Sequence, residues 1–122
     1  MNVEDKELKI NQQLRQVSID QEDKRQEIRE LEDLEADYFS IHHQEQRYFQ
    51  DLIGNNQGSR DIGHFMELDE EANRLHQYER QRLEDIAERL VDEEVQLRRL
   101  EEDLYDERQK LFASENDSEV SD

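Results

Sequence analysis

The chain has no cysteine, no proline and no tryptophan, and only three glycines in 122 residues. Without cysteine there is neither a disulfide framework nor a thiolate metal site. Without proline nothing interrupts a long helix from inside. Long hydrophobic runs are also missing: no stretch approaches the roughly 18 apolar residues that a membrane-spanning helix needs. The first residues, Met1-Asn2-Val3-Glu4-Asp5-Lys6-Glu7, lack the basic start and apolar run of a secretory signal. They point to synthesis in the cytoplasm without a cleaved leader. Basic residues are scarce against acidic ones, 16 against 35, for a net charge of -19. Such a surface repels phosphates, so nucleic acid and anionic membrane are excluded as expected partners.

What is present is charge and helical periodicity. With 32% hydrophobic and 42% charged residues, the buried part of the fold must be a narrow stripe. In the first half, apolar residues fall at Ile10, Leu14, Val17, Ile28, Leu31, Leu34, Tyr38, Ile41, Tyr48, Phe49 and Leu52, mostly three and four apart, as one face of a helix requires. Gln21 and Lys24 hold the stripe between Val17 and Ile28. The two consecutive threes of Ile28, Leu31 and Leu34 predict a local stammer in the heptad pattern. The second half repeats the scheme with Phe65, Leu68, Ala72, Leu75, Tyr78, Leu83, Ile86, Leu90, Leu97, Leu100, Leu104 and Leu111. Acid-before-base pairs at four-residue spacing, such as Glu70 with Arg74 and Glu94 with Arg98, support the helix at the surface.

The segment Gly54-Asn55-Asn56-Gln57-Gly58-Ser59 concentrates turn residues near the middle of the chain, with Gly54 expected as the C-terminal cap and Ser59 or Asp61 as the next N-cap. The fold expected is all-α, an antiparallel two-helix hairpin of coiled-coil type. Helix one should run from about residue 4 to 53, the bend over about 54–60 and helix two from about 61 to 113, on the spacing of apolar and turn residues. The last segment, 114–122, carries four acids and no base and is expected to be a disordered tail.

The search for chemistry returns little. The residues three before His42, His43, His64 and His76 are Phe39, Ser40, Asp61 and Asn73, so the Glu-x-x-His pattern of di-iron bundles is absent. The histidines read as surface or interface groups. Phosphate loops, zinc-protease motifs, calcium loops and nucleophile elbows are also missing. The expectation is a protein that is not an enzyme and has no cofactor and no metal. Phe65-Met66-Glu67-Leu68-Asp69 fits an aromatic-x-x-x-acid signal, but acids are dense enough here to produce that match by chance, and Phe65 serves as well as a hydrophobic staple.

Two helices folded on each other cover each helix on one side only, so further apolar groups imply a second contact surface. Phe39, Tyr48, Met66, Val91, Val95, Tyr105 and Phe112 lie beside the main stripe. The partner-binding candidates are Leu31, Leu34, Tyr38, Ile41, Phe49 and Leu52 on helix one and Phe65, Leu68, Leu75, Leu83, Ile86 and Leu90 on helix two. Some must close the hairpin and others must meet a partner, and the sequence alone does not sort them.

Helix one, with Ile10-Asn11-Gln12-Gln13-Leu14-Arg15-Gln16-Val17, then Gln26-Glu27-Ile28-Arg29-Glu30-Leu31-Glu32-Asp33-Leu34-Glu35-Ala36-Asp37-Tyr38 and Arg47-Tyr48-Phe49, resembles the small LXG-associated α-helical (Lap) proteins of type VIIb secretion in Gram-positive bacteria. The stretch Arg98-Arg99-Leu100-Glu101-Glu102-Asp103-Leu104-Tyr105-Asp106-Glu107-Arg108 is similar as well. The resemblance covers roughly residues 8 to 112 and rests on long acidic helices more than on a signature motif. It implies a WXG-type hairpin shape and a role as a noncatalytic targeting chaperone. Its partners would be the helical LXG domain of a secreted toxin and a second small helical protein. The location implied is the cytoplasm, with co-export alongside the partner left open. Two departures limit the carry-over. Ile53-Gly54 and Ile62-Gly63 stand where a Trp-x-Gly turn would be. No aromatic-x-x-x-acid signal closes the chain, because Gln109 follows Tyr105 at the fourth place and Asn116 follows Phe112. The alternative expectation is a structural coiled-coil spacer that pairs with itself as a homodimer.

Overall fold

A computed structural model describes the backbone of residues 2–120 and the side chains of residues 2–114. It contains two helices, α1 (Val3–Asn55) and α2 (Ile62–Val120), and among the described residues no strand. The all-α helical hairpin read from the sequence is the fold of the chain. Alpha1 begins where Asn2 Oδ1 accepts the Asp5 N–H at 2.8 Å, an N-cap followed by Glu4 and Asp5 at the positive end of the helix dipole. Alpha2 is helical beyond the expected end near residue 113. The tail expected over 114–122 falls, from residue 115 on, outside the residues whose side chains are described.

The bend is built differently from the sequence expectation. Gly54 lies inside α1, and it is Gly58 that adopts the left-handed conformation, with φ of 77°. The last carbonyls of α1 are satisfied by amide side chains, Asn56 Nδ2 donating to Leu52 O at 2.6 Å and Gln57 Nε2 to Ile53 O at 3.2 Å. With those orphan acceptors covered, the helix extends past Gly54 and the reversal moves to Gly58. Ser59 Oγ accepts the Asp61 N–H at 3.2 Å, and the Asp61 carbonyl accepts the Phe65 N–H at 3.1 Å, which makes Asp61 the first half-helical residue of α2.

The chain divides into two units, one formed by Ile28–Glu88 around the bend and the other by the segments up to Glu27 and from Arg89 onward. In the unit remote from the bend, Ile10, Val17 and Leu104 form a buried cluster, with Leu14 and Leu111 packed against it. Leu90 is buried there as well. Lys24 Nζ pairs with the Glu93 carboxylate and, at 3.3 Å, with Glu27. Of the Lys24 side chain 14% remains exposed, and Glu93 before all else raises its pKa above the usual lysine value. Lys24 in turn lowers that of Glu93.

In the bend unit the covered residues of α1 are Ile28, Leu31, Glu35, Tyr38, His42, Glu45, Phe49 and Leu52, with additional cover on Ile53. The eight alternate steps of three and four without a break, which is a heptad seam. Positions a are therefore 28, 35, 42 and 49, and positions d are 31, 38, 45 and 52. The expected stammer is not there: Leu34 is 55% exposed and Glu35 takes the seam place after Leu31. A leucine one residue off the seam had imitated a broken register. Alpha2 keeps the same rhythm, with Ile62, Asp69, His76 and Leu83 at a, and Phe65, Ala72, Glu79 and Ile86 at d.

Candidate functional site: a polar seam and an uncovered apolar flank

At each end the bend unit's seam is apolar, with Ile28, Leu31, Leu83 and Ile86 at one end and Phe49, Leu52, Ile62 and Phe65 at the other. Between them it is polar. Tyr38 Oη lies 2.7 Å from His76 Nδ1 and 3.1 Å from the His76 carbonyl oxygen, and His76 Nε2 lies 2.9 Å from Glu45 Oε2. Glu45 accepts, so Nε2 carries a proton; in a neutral ring Nδ1 then accepts the Tyr38 O–H. His42 packs its ring against His76 with centroids 3.9 Å apart, and stacks on Tyr38 at 6.3 Å. The His42 Nδ1 atom is buried without a partner. Burial, followed by the neighbouring His76, pushes the His42 pKa below the usual imidazole value, although Glu45 acts in the other direction. Burial first, then Glu79 and Glu45, pushes the Tyr38 phenol up.

Such a seam closes the hairpin with hydrogen bonds where leucines would have done it by burial. Among the described hydrophobic side chains of the bend unit, Leu31 alone is buried, with 9% of its surface still exposed. The apolar groups left out stand beside the seam. On α1 Leu34, Ile41 and Tyr48 recur every seven residues at position g, and Ile41 and Tyr48 are 59% and 61% exposed. On α2 Leu68 and Leu75 also fall at position g, Leu75 being 61% exposed. In an antiparallel pair the two g rows flank the same side of the seam. A groove on that side is lined by Tyr38, Glu45, Phe49, Leu68, Ala72 and Leu75. The opposite side, where the e rows meet, has its own groove with Phe39, Gln46, Asn73 and Arg80.

The twelve partner-binding candidates are thereby sorted. Leu31 and Leu90 are buried, and Tyr38, Phe49, Leu52, Phe65, Leu83 and Ile86 are half-buried at seam positions. Leu34, Ile41, Leu68 and Leu75 are exposed and remain free to meet another chain. Tyr48, read as a residue beside the stripe, joins them. Glu35, His42, Glu45 and His76 were not among the candidates. The heptad count from Ile28 was the signal that would have placed them inward. Val91, Tyr105 and Phe112 are exposed in the other unit, where the Arg108 guanidinium covers the Tyr105 ring at 4.9 Å.

Among the described residues no three of His, Cys, Asp or Glu converge as metal ligands, and no helix is long and apolar enough to cross a membrane. Comparison with the curated proteins gives no match, and comparison with the solved structures gives none either. Residues 6–111 match a protein family, and the match spans most of the helical chain. The chain belongs to the family described as "Protein of unknown function (DUF3958)".

Proposed function

We propose that this protein is a noncatalytic targeting chaperone that binds the helical LXG domain of a secreted toxin, together with a second small helical protein, for type VIIb export. The observation that carries the reading is the flank of the bend unit, where five large apolar side chains stand outside a seam closed by polar groups. Burial of apolar surface is worth about 25 cal/mol per Å², so a helix laid along that flank gains what the hairpin itself leaves unused. An amphipathic toxin helix has the matching need. Covering its apolar side shifts it toward a folded, soluble bundle by mass action. The resemblance of both helices to the Lap proteins supplies the identity of that partner, and co-export with the toxin belongs to the same reading.

The test is size-exclusion chromatography with light scattering on the chain alone, with an LXG domain, and with the second small helical protein added. The expected result is a complex of defined stoichiometry containing one copy of this chain. A stable homodimer that ignores the LXG domain would instead support the spacer reading, and the proposal would fall.

A further inference from the structure

The two flanks of the bend unit differ in charge as well as in apolar content. On the side of the g rows, the neighbouring c and d positions carry Asp37, Glu45 and Asp51 from α1 and Glu71, Glu79 and Asp85 from α2. Arg82 is the one Arg or Lys at any c, d or g position between 28 and 88. The other flank is more mixed: its a, b and e positions hold Arg29 and Arg80 beside Glu32, Glu35, Asp69, Glu70 and Glu84. The exposed apolar strip on the g flank is thus edged by denser negative charge, with a single cation, than the flank opposite.

From this asymmetry we infer that the g flank docks an amphipathic helix of another protein whose apolar stripe is edged by lysine and arginine. The inference rests on the chaperone reading and gives its partner a chemistry and a seat. A second copy of this chain fits badly, since it would bring another -19 charge and the same acidic edges to the contact. A basic-edged helix has both halves of the complement. Its apolar residues cover Leu34, Ile41, Tyr48, Leu68 and Leu75, and its cations meet Asp37, Asp51 and Glu71. Charge complementarity of this kind sets partner choice and orientation more than total affinity.

The test uses the full chain and three synthetic helices of about three heptads, long enough at 1.5 Å per residue to span the strip. One has Leu at a and d with Lys at e and g, a twin has Glu at e and g, and a third scrambles the Lys peptide so that no apolar stripe remains. Fluorescence anisotropy should show the Lys helix binding about tenfold or more tightly than its Glu twin at low salt, with the gap narrowing as salt rises. The scrambled peptide should bind weakly. I41S together with L75S should abolish binding without loss of helicity, whereas F39S on the opposite flank should leave it unchanged. D37K with E71K should reverse the preference between the twins.

Equal binding of the Lys and Glu helices, equal binding of the scrambled peptide, or loss of binding in F39S alone would overturn the inference. So would a homodimer that I41S with L75S dissolves. Failure here with an LXG domain still bound leaves the chaperone reading standing. The peptide preference without any LXG binding removes the chaperone reading and keeps the docking chemistry.

Discussion

Tyr38 and His76 form a two-point contact in which one phenol oxygen lies 2.7 Å from a ring nitrogen and 3.1 Å from the carbonyl oxygen of the same residue. The phenol has a single proton to give. With Nε2 turned to Glu45 and the ring neutral, it goes to Nδ1. Tyr38→Phe removes this bond and leaves Nδ1 without a partner, so it should cost about 1 kcal/mol. Chemical denaturation followed by circular dichroism measures this directly. Equal stability of the variant would show that the contact contributes nothing.

His42 gives the seam a pH dependence of definite sign. Its pKa in the fold lies below the usual 6.5, first through burial and then through His76. As pH falls, the unfolded chain therefore takes up a proton at this position before the folded chain does. The stability contributed by the neutral ring is present above about pH 6.5 and is lost as pH falls toward the folded value. Melting temperature should be lower at pH 5.5 than at 7.5, and His42→Gln should reduce that difference. An unchanged slope in the variant would place the pH response elsewhere.

Lys24 and Glu93 are shifted in opposite directions by one contact. The lysine's share is present below its ordinary 10.5 and lost as pH rises through the higher folded value. The carboxylate's share is present above its ordinary 4.5 and lost as pH falls through the lower folded value. Glu93 remains 39% exposed, so solvent screens the pair, and Glu93→Gln should lower stability slightly at low salt and not at all at high salt. Lys24→Leu combined with Glu93→Leu should instead raise stability by roughly 2 kcal/mol, since leucines bury well at seam positions. The double variant should also lose uniqueness of pairing, seen as mixed oligomers in light scattering, because a polar seam residue specifies register.

Core and flank should separate cleanly under mutation. Leu104→Ala opens a cavity in the Ile10, Val17 and Leu104 cluster and should cost about 2–4 kcal/mol. Ile41→Ala and Leu75→Ala remove exposed side chains and should change stability by about 0.5 kcal/mol or less, while weakening the complex with a helical partner. Thermal melts and binding titrations on the same variants read the two effects apart.

At the glycines the direction depends on backbone conformation. Gly58→Ala forces a Cβ into the left-handed region and should cost about 1–2 kcal/mol, with Gly58→Asn less harmful. Gly54 is helical and an added Cβ there would meet nothing, so Gly54→Ala should stabilise by about 0.5–1 kcal/mol. Melts of the three variants check the order.

The hairpin was legible in the sequence because its signals are local: spacings of three and four, good helix formers, and one cluster of turn residues between them. The bend was misplaced to Gly54 because Asn56 and Gln57 reach back to cap the helix, a side-chain event that composition does not show. The seam was harder. Counting apolar residues put Leu34 and Ile41 with Leu31 and Tyr38, whereas the heptad places Glu35 and His42 there instead. A polar residue at a seam position is invisible to a search for apolar periodicity, so the residues that close the bend unit and those left exposed beside it could not be told apart.

The cluster of Ile10, Val17 and Leu104 joins the beginning of the chain to its last fifth, and that timing has a consequence on the ribosome. At about 5–20 residues per second, Ile10 waits on the order of 5 to 20 s for Leu104 to be made. During translation the first helix is therefore a nascent segment with its greasiest side on offer. A partner already present in the same cell has that interval in which to arrive first.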